Sequence, residues 1–284
     1  MQISIIIPFH NEAEYLERTL ESLVHQSVPP DRLILVNDSS TDASPDIAAK
    51  YAERHPFIQL VHHTSSPAKS PGSKVIEAFN FGAARLDHFD LIGKFDADIV
   101  LPSNYLETCI RAFENTPHLG MYSGLLYIDH KGELRYESIS NKDHVRGPIK
   151  LYSKECFRAI GGLIPALGWD SVDTLLAEAR GFKVATNPSL IVHHLRPTSG
   201  AYANSAYYLK RGESYYQLGY DLFISLLSAI KMAWRKQSLE VLLTLLRGYS
   251  RARKKGLRLV DDQAKQDILK IRYKRIWRTI IRTS

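Results

Sequence analysis

Four short apolar runs fill the first hundred residues, each followed by a polar turn and, after the first three, an amphipathic stretch. That alternation constrains the fold more than any other feature. Strands separated by helical segments pair in parallel, with the helices as crossovers. Residues 3–7 read as a buried strand stopped by Pro8, 33–36 as a second, 57–61 as a third and 91–95 as a fourth. Asn11 reads as a helix N-cap, with Glu14 completing a capping box and Leu16, Leu20, Leu23 and Val24 sharing one face. Ser44-Pro45 opens a second helix with proline in its first turn. A Ser/Pro-rich loop over 64–73 leads to a third helix near 74–86.

The middle of the chain is less regular. Strands are expected over 119–128 and 133–139 around a turn at His130-Lys131-Gly132, and a short helix over 153–160 closed by Gly161-Gly162. A helix over roughly 171–180 ends at Gly181, and short strands follow at 182–185 and 190–192. From about residue 205 the pattern is helical, with basic and apolar faces. The expected organisation is a catalytic α/β domain over 1–204 and a basic helical region over 205–284.

Charge divides the chain at the same place. Residues 205–284 hold 18 Lys and Arg against 6 Asp and Glu, a net +12, while the remainder holds 19 against 24, a net −5. An acidic body with a basic tail implies an anionic partner, a membrane surface or a nucleic acid. The tail interleaves apolar runs with clusters such as Arg251-Ala252-Arg253-Lys254-Lys255, and Trp234 and Trp277 suit a membrane interface. The longest apolar run, 222–230, falls short of the roughly 18 residues of a spanning helix. Cys109 and Cys156 are too few for a disulfide framework, and Met1-Gln2-Ile3-Ser4 enters a strand-like segment with no basic leader. The expectation is a cytoplasmic protein, peripheral at the inner face of the cell membrane.

Several residues are placed for chemistry. Open α/β sheets bind ligands beyond the carboxyl ends of their strands. Asp38 ends the second run and can accept the ring N–H of a uracil or guanine, or serve as a loop carboxylate capping the next helix. Asp96-Ala97-Asp98 follows the fourth run, and two carboxylates one residue apart can hold a divalent cation that neutralises a leaving diphosphate. Trp169-Asp170 opens a helix, where Asp170 can act as a general base or as an N-cap; Asp173 lies in the same first turn. His193-His194 and Arg196 follow a short strand; an imidazole there can be a third metal ligand and the guanidinium can meet a phosphate.

Together these motifs resemble family 2 glycosyltransferases. Ile5-Ile6-Ile7-Pro8-Phe9-His10-Asn11-Glu12 resembles the family's opening strand and loop. Val36-Asn37-Asp38-Ser39-Ser40-Thr41-Asp42 resembles its V-D-D-G-S-T-D, and Lys94-Phe95-Asp96-Ala97-Asp98 its donor-metal motif. Gly161-Gly162, Trp169-Asp170 and Gly181 resemble its G-G…E-D…G segment. The matches run in order over roughly 3–196. Asn37, Ser39 and Trp169 depart from the pattern.

The resemblance implies a GT-A fold, a Rossmann-like nucleotide half fused to an acceptor half, and inverting transfer from a nucleotide-sugar, with a UDP-sugar favoured. Pro8, Glu12, Asp38 and Asp96 would then bind the donor. Asp98 and Asp96, with His194, would hold Mn2+ or Mg2+, and Asp170 would be the base. The His-His-Leu-Arg-Pro stretch and basic helices resemble a bacterial subgroup, which implies a glycan or lipid-linked acceptor in surface polysaccharide or glycolipid assembly. A nucleotidyltransferase is the first alternative, although the loop after the first strand lacks the glycines such enzymes use. A nucleic-acid-binding protein is the second, although no recognised binding motif is present and the expected partners include no nucleic acid.

Overall fold

The computed structural model describes residues 1–65, 71–198 and 204–283. The centre of the expected 64–73 loop, and the side chain of Ile281 at the end of the basic tail, lie outside what is described. The chain divides into two compact units. The first comprises Met1–Lys69, Lys74–Leu163 and Gly181–Thr198, and the second Ser70–Ser73, Ile164–Arg180 and Ser199–Ser284.

The first unit carries the sheet. Strands β1 (Ile3–Phe9), β2 (Arg32–Asp38), β3 (Ile58–His63) and β4 (Leu91–Phe95) pair in parallel in the order β3-β2-β1-β4. Every residue of β1 and β4 is buried, as expected where helices cover both faces of a parallel sheet. Ile3, Ile5, Ile7, Leu33 and Leu35 pack with Leu16, Leu20 and Leu23 of α1 (Leu16–Val24), Tyr51 of α2 (Ser44–Arg54) and Cys109 of α4 (Tyr105–Asn115). On the opposite face α3 (Pro71–Ala83) comes so close that a Cβ on Gly82 would stand 2.8 Å from Ile6 and 2.9 Å from Val36.

Two readings of this part need correction. β1 continues through Pro8 to Phe9. Its pairing to β4 ends at Ile6, so by Pro8 the strand is paired on one side only, where a missing N–H is tolerated. Asn11 caps no helix: α1 begins at Leu16 after Tyr15, without a side-chain cap. Asn11 instead adopts φ 55°, and its Oδ1 accepts the Thr41 N–H at 2.8 Å, tying the β1 loop to the β2 loop.

Beyond β4 the sheet turns mixed. β8 (Ile149–Ser153) runs antiparallel between β4 and β6 (Leu119–His130). The hairpin strand β7 (Glu133–Tyr136) pairs with β6, and β9 (Lys183–His194) lies parallel to β6. The two short strands expected at 182–185 and 190–192 are one strand interrupted by a bulge. Ser123 pairs with Thr186 and Leu125 with Ile191, so residues 187–190 loop out. Gly124 sits under that bulge, where a Cβ would stand 2.3 Å from the Leu190 carbonyl oxygen. The two-residue strand β5 (Ile99–Val100) closes the edge, Ile99 opposite His194 and Val100 opposite His193. A short helix, α5 (Lys154–Ala159), is capped by Ser153 and followed by Gly161 and Gly162 at φ 78° and 77°.

The second unit is helical: α6 (Trp169–Ala179), α7 (Ser205–Gln217), α8 (Leu222–Lys236), α9 (Leu239–Lys254) and α10 (Asp262–Thr283). Residues 164–180 thus group with the C-terminal helices. Among the described residues no helix is long and apolar enough to cross a membrane.

Candidate functional site

Parallel pairing sets the site by bringing strand ends level. Phe9 of β1 lies opposite Asn37 of β2, Asp38 opposite His63 of β3, and Ile6 opposite Lys94 of β4. Glu12, Asp38, Asp96 and Asp98 therefore gather at the carboxyl edge, where such sheets bind ligands. The Asp38 carboxylate accepts the Ser65 N–H at 2.8 Å, while its carbonyl meets His10 Nδ1 at 2.7 Å. Asn37 is buried and accepts the Ser40 N–H at 2.9 Å, which turns the loop after β2. The Asp96 backbone N–H donates to the Pro148 carbonyl at 2.9 Å, and its carboxylate pairs with the buried Lys94 ammonium.

The β5–β9 pairing adds the remaining groups. With Ile99 opposite His194 and the Leu195 N–H donating to the Asp98 carbonyl at 2.8 Å, the loop after β9 is sewn to the loop after β4. Side chains alternate along a strand, so of the two histidines it is His194 that reaches the acids. Its Nε2 stands 3.6 Å from Asp98 Oδ1 and its Nδ1 3.0 Å from Glu137 Oε2. Arg196 bridges Asp98 Oδ2 at 3.1 Å and Glu12 Oε1 at 2.5 Å. Arg146 Nη1 reaches Glu137 at 2.5 Å, and the Thr198 N–H donates to Glu137 Oε1 at 2.7 Å.

Glu12, Arg196, Asp98, His194, Glu137 and Arg146 thus form one chain of alternating charge. Its members tune each other. Burial pushes the Asp98 carboxyl up, but the hydrogen bond and charge of His194, with the charges of Arg196 and Lys94, outweigh it and hold the group below the usual carboxylate range. Burial likewise opposes ionisation of Glu137, yet His194, Arg146 and the Thr198 N–H bring it down to about 2. His194 would be lowered by burial, but its two carboxylate neighbours raise it to about 9. Glu12 is raised, burial prevailing over Arg196, and its Oε2 is buried with no hydrogen-bond partner among the described residues.

Glu137 and Arg146 are the members that sequence reasoning missed. Glu137 follows the β6–β7 hairpin and Arg146 precedes β8, and neither stands in a motif. The structure brings together the expected Glu12, Asp96, Asp98, His194 and Arg196, with Asp38 at the neighbouring strand end.

Asp170 lies in the second unit. The N-cap of α6 is Gly168, at φ 88°, so Asp170 is not the N-cap residue and occupies the first turn, where the helix dipole favours a carboxylate. A Cβ on Gly168 would stand 2.7 Å from the Arg211 guanidinium, which α7 supplies. Asp173 is buried and accepts the Thr174 N–H at 2.6 Å.

A mixed α/β sheet with an acid-rich carboxyl edge, together with C-terminal helices, has the GT-A type architecture. The family model described as glycosyl transferase family 2 matches residues 4–166, more than half of the chain, and the protein belongs to that family. It is 37% identical over 99 residues to the probable glycosyltransferase YdaM of Bacillus subtilis (strain 168), covering 34% of this chain and 23% of that one. The matched segments span about a quarter of the length of such curated relatives. Among solved structures the fold is similar to a mannosyltransferase from Pyrobaculum calidifontis in complex with GDP-Man and Mn2+. That match has a TM-score of 0.56 and 17% identity, and covers 98% of this chain and 83% of that one. It is also similar to S. aureus TarS in complex with UDP-GlcNAc, with a TM-score of 0.58 and 17% identity over 95% and 79% of the two chains.

Proposed function

We propose that the protein transfers a glycosyl unit, with inversion, from a nucleotide-diphosphate sugar to an acceptor hydroxyl. The observation that carries this is the convergence of Glu12, Asp98, His194 and Arg196 beside Asp38 and Asp96 at the carboxyl edge of the sheet. Pro8, Glu12 and Asp38 cradle the nucleoside, the Asp38 carboxylate accepting a base N–H. A UDP-sugar is favoured on the TarS neighbour, which is held with UDP-GlcNAc; the Asp38 carboxylate itself suits uracil or guanine. Attachment at an anionic membrane face and a glycan or lipid-linked acceptor, in surface polysaccharide or glycolipid assembly, belong to the same reading.

The donor set fits a divalent cation, Mn2+ or Mg2+. Asp96 and Asp98 offer hard oxygens one residue apart, and the orphaned Glu12 Oε2 adds acceptor capacity. Among the described residues no three His, Cys, Asp or Glu side chains are already gathered for a metal, so Asp96 and Asp98 would close around it, and His194 would join them on giving up its Nε2 proton. When bound, the cation supplies charge neutralisation for the departing diphosphate. Glu137 holds the Nδ1 side of His194 and so turns Nε2 toward Asp98. Arg196 is placed to shift from Asp98 to a phosphate oxygen.

Asp170 takes the proton of the acceptor hydroxyl. The oxygen then attacks the anomeric carbon from the face opposite the diphosphate, and the bond to the diphosphate breaks with its electron pair on the leaving oxygen. The test is donor binding and product stereochemistry. With Mn2+, nucleotide-sugar should stabilise the wild type against heat, and chelator or Asp98→Ala should remove that shift. A product that keeps the donor's anomeric configuration would refute the inverting mechanism.

A further inference from the structure

Helix α8 is built inside out. Its buried residues are Ile224, Ser225, Ala229 and Ala233, three of them small and spaced four apart. Leu222, Phe223, Leu226, Leu227, Ile230 and Trp234 are exposed, Trp234 at 78% and Leu222 at 54%. Their spacing of i, i+1, i+4, i+5, i+8 and i+12 makes one continuous face. A helix bathed in water keeps large apolar side chains inward and polar ones outward. Here the chain leaves unused the roughly 1.5–3 kcal/mol that burying each such side chain would contribute.

The helix is nonetheless firmly held. Asp221 caps the Ile224 N–H at 2.8 Å and accepts the Tyr273 hydroxyl of α10 at 2.5 Å, and Phe223 stacks on Tyr273 at 6.0 Å. Beside it, α7 and α9 cross with backbones in contact: a Cβ on Gly212 would stand 2.0 Å from the Leu245 oxygen, and one on Gly248 2.1 Å from the Leu209 oxygen. Along α9 runs an open groove of about 550 Å³ whose lining passes from Leu243 and Leu246 to Arg247, Lys254 and Lys255. Arg235 and Lys236 add charge to the last turn of α8.

We infer that α8 lies in the plane of an anionic lipid leaflet with its outer face among the acyl chains, while the cations of the α9 groove take lipid phosphates. This rests on the anionic-membrane part of the proposed function and is independent of the transfer chemistry. A second copy is a poor occupant, because residues 205–284 carry a net +12 and would meet like charge. A lipid leaflet offers what each of the two features needs, hydrocarbon for the stripe and phosphate for the cations.

The test uses the full chain with vesicles of phosphatidylcholine, alone or in equal parts with phosphatidylglycerol. At low salt the protein should sediment with the anionic vesicles and not the neutral ones. Tryptophan emission should shift to the blue and be quenched by brominated acyl chains, and Trp234→Phe should remove a large part of the quenching, the remainder lying with Trp277. Leu226→Ser with Leu227→Ser, and separately Arg247→Glu with Lys254→Glu, should each weaken binding about tenfold or more while leaving the melting curve in place.

Sedimentation without acyl-chain quenching would overturn the insertion of α8, and equal binding to neutral vesicles would overturn the role of the groove. A wild-type dimer that the serine variant converts to monomer would assign the face to a second copy. Nucleotide-sugar stabilisation is followed on the same samples. Its absence in the wild type would sink the transferase reading and leave the vesicle result standing.

Discussion

The two units treat charge and apolar surface in opposite ways. In the first, Asp98, Glu137 and His194 are buried, and each charge is answered by a neighbour within the sheet's own loops. In the second, Arg247, Lys254 and Lys255 stand in an open groove, and the large side chains of α8 face outward. The first resembles a finished interior, its charges paired in one continuous chain. The second resembles one half of an interface. The contrast teaches that the first unit answers its buried charges from within, whereas the second leaves both charge and hydrocarbon at its surface.

The largest effect that sharpens this contrast falls on catalysis. With Asp170 as the proposed base, Asp170→Asn should lower kcat by about 10³-fold with nucleotide-sugar affinity unchanged, the loss falling on the transition state alone. Steady-state kinetics beside donor titration checks it, and a matching loss of donor affinity would place Asp170 in the donor site.

Next comes stability within the first unit. Glu137→Gln leaves His194 and Arg146 without their shared carboxylate, and should cost about 3 kcal/mol, read by urea unfolding. Restoring the volume and the charge at another position should not rescue it.

The smallest effect is the one that separates the two faces of α8. Ala229→Leu, on the buried face, should cost about 1–3 kcal/mol by overpacking. Leu226→Ser, on the outer face, should change stability by no more than about 0.5 kcal/mol. Equal penalties on both faces would mean that the outer stripe is covered by the chain itself.

Much of the fold is legible in the sequence where local pattern and final pairing agree. The four apolar runs became β1 to β4: β1, β2 and β4 are buried on both faces and so nearly continuously apolar, while β3, at the edge of the sheet, is buried only in part. β8 escaped, since Ile149–Ser153 contains Lys150, which reads as a surface residue although it is fully buried. Asn11 had the signature of a cap but was taken by the Thr41 N–H of a neighbouring loop, a long-range partner that no local rule can foresee.

The site divides the same way. Asp38, Asp96 and Asp98 were readable from their place at strand ends. Which of His193 and His194 faces the acids depends on the parity of the β5–β9 register, and Glu137 enters through a hairpin whose position only tertiary pairing defines. The outward stripe of α8 was visible as an apolar run, but its direction was not.

The two-residue strand β5 has a consequence for how the protein is made. Asp98 leaves the ribosome about a hundred residues before the His194 and Arg196 that secure it, and the family match itself closes at residue 166, well short of both. During synthesis at roughly 5–20 residues per second, the nascent chain therefore carries an acid-rich edge with Lys94 but without His194 and Arg196 for several seconds after its first strands can pair. Closing that edge is a late, long-loop event, slower than the local helix-and-strand assembly before it. A nascent chain stalled before residue 190 would hold most of its sheet and none of its cationic clasp.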